Sequence, residues 1–210
     1  MKKVLVAAAL ALVANYASAA ISGSSHDLTA SYGNGAKCAY CHIPHNSLDT
    51  SGFAPLWARN MNAGQTYTVY SSVFGGQKAG QPGTPSRLCL SCHDGTQAVA
   101  SVYTSNQTLT TYGGITKTIT GLALSGTNLA GDHPVGITYT STVNNNNAGL
   151  NGTVPSPFKI YPATVGTGTV ECTSCHNAHT PKNVSSFSGR QFMVSTGLTV
   201  DFCSACHSAK

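Results

Sequence analysis

The sequence predicts a mostly irregular fold, with short helices at four repeated motifs and a few short β-strands elsewhere. Three observations carry this reading. Cys-X-X-Cys-His occurs four times, at Cys38-Ala-Tyr-Cys41-His42, Cys89-Leu-Ser-Cys92-His93, Cys172-Thr-Ser-Cys175-His176 and Cys203-Ser-Ala-Cys206-His207. The chain is poor in aromatics (8%) and rich in Gly, Ser, Thr and Asn, so its own side chains make a thin core. Between the motifs there is little helical periodicity, and the apolar residues alternate only over short stretches.

The short helices follow from the motif itself, because helical geometry brings cysteines at i and i+3 to one face. Two thiols so placed can add to the vinyl groups of a haem while the adjacent imidazole reaches its iron, the arrangement of c-type haem attachment. One copy alone could be half a zinc site, a redox dithiol or a disulfide. With 8 His in 210 residues, chance would place His after all four Cys-X-X-Cys pairs about two times in a million. The reading is four covalently attached c-type haems. Their proximal iron ligands are His42, His93, His176 and His207, and the fold is assembled around them.

The motifs use all eight cysteines and four of the eight histidines. Each iron then takes a distal ligand from His or Met, or keeps an open position. Met61 and Met193 are the methionines beyond the leader, and a lone Met is more often packing than a ligand. Taken singly, His26 in Ser-Ser-His-Asp-Leu reads as a turn cap and His133 in Gly-Asp-His-Pro-Val-Gly as a loop histidine. Taken together, His26, His45, His133 and His179 equal the irons that need a second ligand, which favours bis-histidine coordination.

Cys-X-X-Cys-His-X-X-His occurs twice, ending at His45 and His179, and this internal similarity indicates two related haem pairs. Each second His lies three residues beyond a proximal one and points from nearly the same side of the peptide, so it cannot reach the far face of its own haem. It serves another haem packed close by, in the same chain or in a neighbouring molecule. Haem chemistry also lies near both ends, at His26 and Cys38 and at His207, which permits a head-to-tail contact of the kind that generates open filaments.

Lys2 and Lys3, an apolar run from Val4 to Val13, and Ala17-Ser18-Ala19 read as a signal peptide over residues 1–19. A single tetrahaem domain is expected over 20–210. The apolar run is too short to span a bilayer and no later stretch is longer, so no transmembrane segment is expected. Ala20, not a cysteine, directly follows the expected cleavage point, so no lipid-anchor site is expected there. The formal charge falls from +5 to +3 once Lys2 and Lys3 leave, and the remaining basic residues are scattered, which argues against nucleic-acid binding. Eight haem propionates would bring the assembled surface near neutral or acidic.

The first cysteines of successive motifs lie 51, 83 and 31 residues apart, so a Thr/Gly/Asn-rich insertion sits at about 104–168. Alternation over Ile115 to Thr120 and Ile137 to Val143 reads as short strands. Asn144 to Asn147, with Gly149 and Gly152, mark a loop, and Pro155, Pro157 and Pro162 argue against regular structure after it.

On Cys38-Ala-Tyr-Cys41-His42-Ile-Pro-His45-Asn-Ser-Leu, Ser-His26-Asp-Leu and Asp-His133-Pro-Val-Gly, the chain resembles exported multihaem cytochromes c with doubled haem motifs. At four haems and this length it is similar to the OmcE-type tetrahaem nanowire cytochromes of metal-reducing bacteria. The resemblance implies little regular secondary structure and an extracellular homopolymer with a continuous row of haems. It also implies that one subunit supplies a distal His to the next. His45 is the preferred crossing ligand and His26 the alternative, with His133 and His179 serving their own subunit.

The function expected is electron conduction to redox partner proteins and extracellular acceptors, without catalysis. A monomeric periplasmic shuttle is the alternative. A multihaem reductase needs an open iron position, and the ligand count leaves none.

Overall fold

The computed structural model describes residues 21–29, 37–45, 47, 56–61, 64–73, 77–103, 109–111, 114–120, 126–140, 149–164, 166–180, 192–194 and 201–208. The expected leader, residues 1–19, and Asn144 to Asn147 lie outside them. Most of the described chain is turn, bend or coil, as the composition predicts.

Among the described residues each of the four motifs carries a short helix or turn. A 3-10 turn spans Lys37–Tyr40, α1 spans Thr84–His93, α2 spans Cys172–Cys175 and α3 spans Asp201–Ser204. Only α1 exceeds one turn, and its limits are local. Gly83 enters in an extended conformation and Pro85 sits in the first turn, where its missing N–H costs nothing. At the other end Gly95, at φ 69°, returns its N–H to Cys92 O at 3.1 Å.

Strands β1 (Ser101–Tyr103) and β2 (Leu109–Thr111) pair antiparallel, with Val102 opposite Thr110. Strands β3 (Ile137–Thr138) and β4 (Thr169–Val170) form a second antiparallel pair, with Ile137 opposite Val170. The alternating stretch from Ile115 to Thr120 is not a strand, contrary to the expectation. It makes one bridge, Thr118 to Ala98, and Lys117 O accepts the Val99 N–H at 2.9 Å. Alternation tells which side chains face inward, but a strand also needs a neighbour along its length, and this stretch has one at a single point. Of Ile137 to Val143, Ile137 and Thr138 are strand, and residues 141–143 lie outside the described residues. No helix or strand covers residues 151–164, as the three prolines predict.

The self-packed cores are small. Ile43, Ala58 and Val102 form one, and Tyr67, Leu90 and Leu129 form another, flanked by Val69 and Val135. Much of the interior is polar instead: Arg59, Ser86, Ser91, Asp94 and Glu171 are all buried. Close backbone approach joins the insertion to the start of α1. Gly136 has φ 67°, and a Cβ there would meet Gln81 O at 2.5 Å, so only glycine fits between these segments.

Candidate cofactor-attachment sites

At three motifs the backbone makes the same two-part device. The histidine N–H folds back onto the first cysteine carbonyl, His42 to Cys38 at 2.8 Å, His176 to Cys172 at 3.0 Å and His207 to Cys203 at 2.8 Å. This single turn brings both cysteines and the histidine to one side. The chain then straightens, and the histidine pairs antiparallel with a remote residue: His42 with Trp57, His176 with Met193 and His207 with Leu150. Flanking bonds clamp each pairing, such as Ala58 N to Cys41 O at 2.8 Å, Val194 N to Cys175 O at 2.9 Å and Asn151 N to Cys206 O at 2.8 Å. The second motif needs no such clamp, since α1 holds it. Met193 is thus buried as a backbone partner of His176.

Each of the three pairs of imidazole rings brought together here joins a motif histidine to a non-motif one. His42 and His179 have centroids 6.0 Å apart, His93 and His26 6.2 Å, and His207 and His133 6.4 Å. Two imidazoles bound on opposite sides of one metal, each nitrogen about 2 Å from it, have centroids roughly 6 Å apart. The rings are therefore spaced to share an ion between them. His179 lies against the histidine of the first motif, His42. His45, three residues after His42, is exposed, and among the described residues no histidine ring lies against it.

The surroundings of His26, His93, His179 and His207 favour the neutral ring. Burial, then the neighbouring His93, brings the pKa of His26 down to about 4. Burial also lowers His93, with His176 next; it lowers His179, with His42 next, and His207, with His133 next. His26 Nδ1 and His93 Nδ1 are buried without a hydrogen-bond partner. His133 Nδ1 lies 3.1 Å from Pro134 O, and since a carbonyl only accepts, Nδ1 is the donor there.

No disulfide joins the cysteines of the four motifs. Burial pushes Cys41 and Cys175 up to about 12, and Cys89 is raised by its hydrogen bond to Cys172 and then by burial. At Cys41, Cys89 and Cys175 such surroundings disfavour the thiolate, while the hydrogen bond from Cys89 lowers Cys172. No three His, Cys, Asp or Glu side chains among the described residues converge on an ion. Two imidazoles per pair are too few donors for a zinc centre. They are the number that a planar macrocycle with four in-plane nitrogens leaves to the protein.

Sequence reasoning missed the polar residues that hold the motifs in place. Trp57 packs edge-on against His42, with centroids 5.7 Å apart. Glu171, next to Cys172, accepts hydrogen bonds from Gly83 N at 3.1 Å and from Ser86 Oγ at the start of α1, tying the second motif to the third. At the fourth motif Asn151 Nδ2 donates to Ser204 O at 2.7 Å and Ala205 O at 3.0 Å, and Tyr139 Oη lies 3.1 Å from Cys206 O. Nothing in the local pattern around Asn151 marks it, because its partners lie more than fifty residues away. Asn151→Ala is expected to cost about 1–2 kcal/mol and to loosen this motif selectively. Faster amide exchange over residues 201–208, with α1 unchanged, is the result to look for.

Comparison of the chain with protein-family models and with curated proteins returns no match.

Proposed function

We propose that the chain is a tetrahaem c-type cytochrome that conducts electrons along closely packed haems, as the subunit of a head-to-tail extracellular filament. The observation that carries this reading is the set of three histidine pairs. Each joins a motif histidine to a non-motif histidine across a gap of 6.0–6.4 Å, the span of an iron with two axial imidazoles. The haem supplies the one-electron chemistry of its iron when bound. The chain does the rest. Cys38 and Cys41, Cys89 and Cys92, Cys172 and Cys175, and Cys203 and Cys206 would hold the macrocycles through thioethers, and the paired imidazoles would bind the iron and exclude substrate from it. Axial histidine without Met also keeps the potentials low.

Assembly rests on the remaining histidine. The three pairs engage His26, His133 and His179, which leaves His45 as the distal candidate for the iron on His176. His45 is exposed, so a second copy can reach it. We assign it as the crossing ligand, each copy's His45 completing the site on His176 of the next. The pairing of His26 with His93 argues against His26 in that role.

The test is mass spectrometry and electron microscopy of the secreted protein. Four covalent haems per chain and filaments are expected. A chain without covalent haem would overturn the reading, and a uniformly monomeric tetrahaem protein at high concentration would replace the filament by a soluble shuttle. Rapid carbon monoxide binding by the undamaged reduced protein would point to an open site and a reductase.

A further inference from the structure

Two buried charges stand beside the attachment motifs with opposite sign. Arg59 is 2% exposed. Its Nη1 donates to Val99 O at 2.6 Å, and its Nη2 donates to Ser91 O and Ala98 O, both at 2.9 Å. Ser91 directly precedes Cys92, and Ala58, directly before Arg59, is bonded to Cys41 O. The guanidinium therefore lies between the first and second motifs. Its three oxygen partners are neutral carbonyls, its side chain also bonds that of Cys92, and its Nε has no partner. Backbone dipoles thus solvate the positive charge.

Glu171 is also 2% exposed and directly precedes Cys172. Its oxygens accept from Gly83 N, Ser86 Oγ and Thr169 Oγ1, the last at 2.7 Å. Ser86 Oγ itself accepts the Cys172 N–H at 2.9 Å, which turns its own proton toward the carboxylate. Here neutral donors hold the charge. At the second motif a third buried charge, Asp94, accepts from Tyr67 Oη at 2.8 Å and follows His93 directly, so there a carboxylate opposes Arg59.

We propose that Arg59 and Glu171 stagger the reduction potentials along the chain, Arg59 raising the site at Cys38 and Cys41 and Glu171 lowering the site at Cys172 and Cys175. This rests on the haem reading above. A fixed cation favours addition of an electron and a fixed anion opposes it. At an effective dielectric of about 20, a unit charge roughly 10 Å from the iron changes the reduction equilibrium about tenfold. The two sites then differ in the direction that rests electrons near the first motif. The second site, with both charges beside it, lies between.

The test is a spectroelectrochemical titration of the secreted holoprotein. Each step adds one electron from the mediating reductant and takes one iron(III) to iron(II). Arg59→Gln is expected to lower the highest potential by about 59 mV, a tenfold change for one electron. Glu171→Gln is expected to raise the lowest by a similar amount, so each variant narrows the titration. Arg59→Lys keeps the charge and the width. Covalent haem is counted first in every sample. A wild-type chain without haem sinks the cytochrome reading itself, whereas four haems with unmoved or same-direction potentials overturn only the stagger. If Arg59→Gln does not accumulate with four haems, Glu171→Gln decides alone, an upward shift supporting the stagger and any other result overturning it.

Discussion

His45→Ala is expected to abolish filaments and to turn one of the four haems from low-spin to high-spin. On the proposed ligation the other three distal histidines pair with motif histidines within the chain, so this substitution would remove a ligand from one iron only and leave three sites intact. Each subunit junction also loses its coordination bond. At a cost of at least about 3 kcal/mol per junction, the concentration needed for assembly rises more than a hundredfold. His26→Ala is the matching control: it should disturb one low-spin signal, that of the site on His93, while filaments persist. Added imidazole separates the two losses, since it can refill the vacant axial position but cannot link two chains. Filaments of normal length from His45→Ala, or loss of filaments from His26→Ala alone, would count decisively against the assignment.

Glu171→Ala has the next largest effect, on stability. The carboxylate bonds Gly83 and Ser86 at the start of α1 and Thr169 in β4, while its backbone enters α2. Gly83 N and Ser86 Oγ lose this acceptor while Thr169 Oγ1 can turn to Tyr161 O, in a place where a Cβ on Gly83 would lie 2.6 Å from Glu171 Oε1 and space is tight. Unsatisfied buried donors cost about 1–3 kcal/mol each, and with partial relaxation the total is roughly 3 kcal/mol or more. For a domain of this size that is a fall of about 6–12 °C in the thermal midpoint. Glu171→Gln keeps an acceptor oxygen in place and should lose less than half as much. Equal losses in the two variants would show that the hydrogen bonds to this side chain do not carry the junction between the second and third motifs.

The positions of the short helices were legible because they are local. Cys38, Cys89, Cys172 and Cys203 each need a helical turn to share a face with the next cysteine, and the turn forms where the motif lies. The strand expected over Ile115 to Thr120 failed because a ladder is made by two segments, and the second, around Ala98, meets it at one residue.

By itself the sequence determined the cysteine and histidine inventory, the turns at the motifs and the irregular character of the rest, all properties of neighbouring residues along one chain. Only the tertiary structure decided which histidine rings face each other, that Trp57, Met193 and Leu150 brace the motifs, and that Arg59 and Glu171 are buried beside them. Those are contacts between residues tens of positions apart. Their free energy comes from burial and from hydrogen bonds closed across the fold, and composition and spacing do not encode which partners meet.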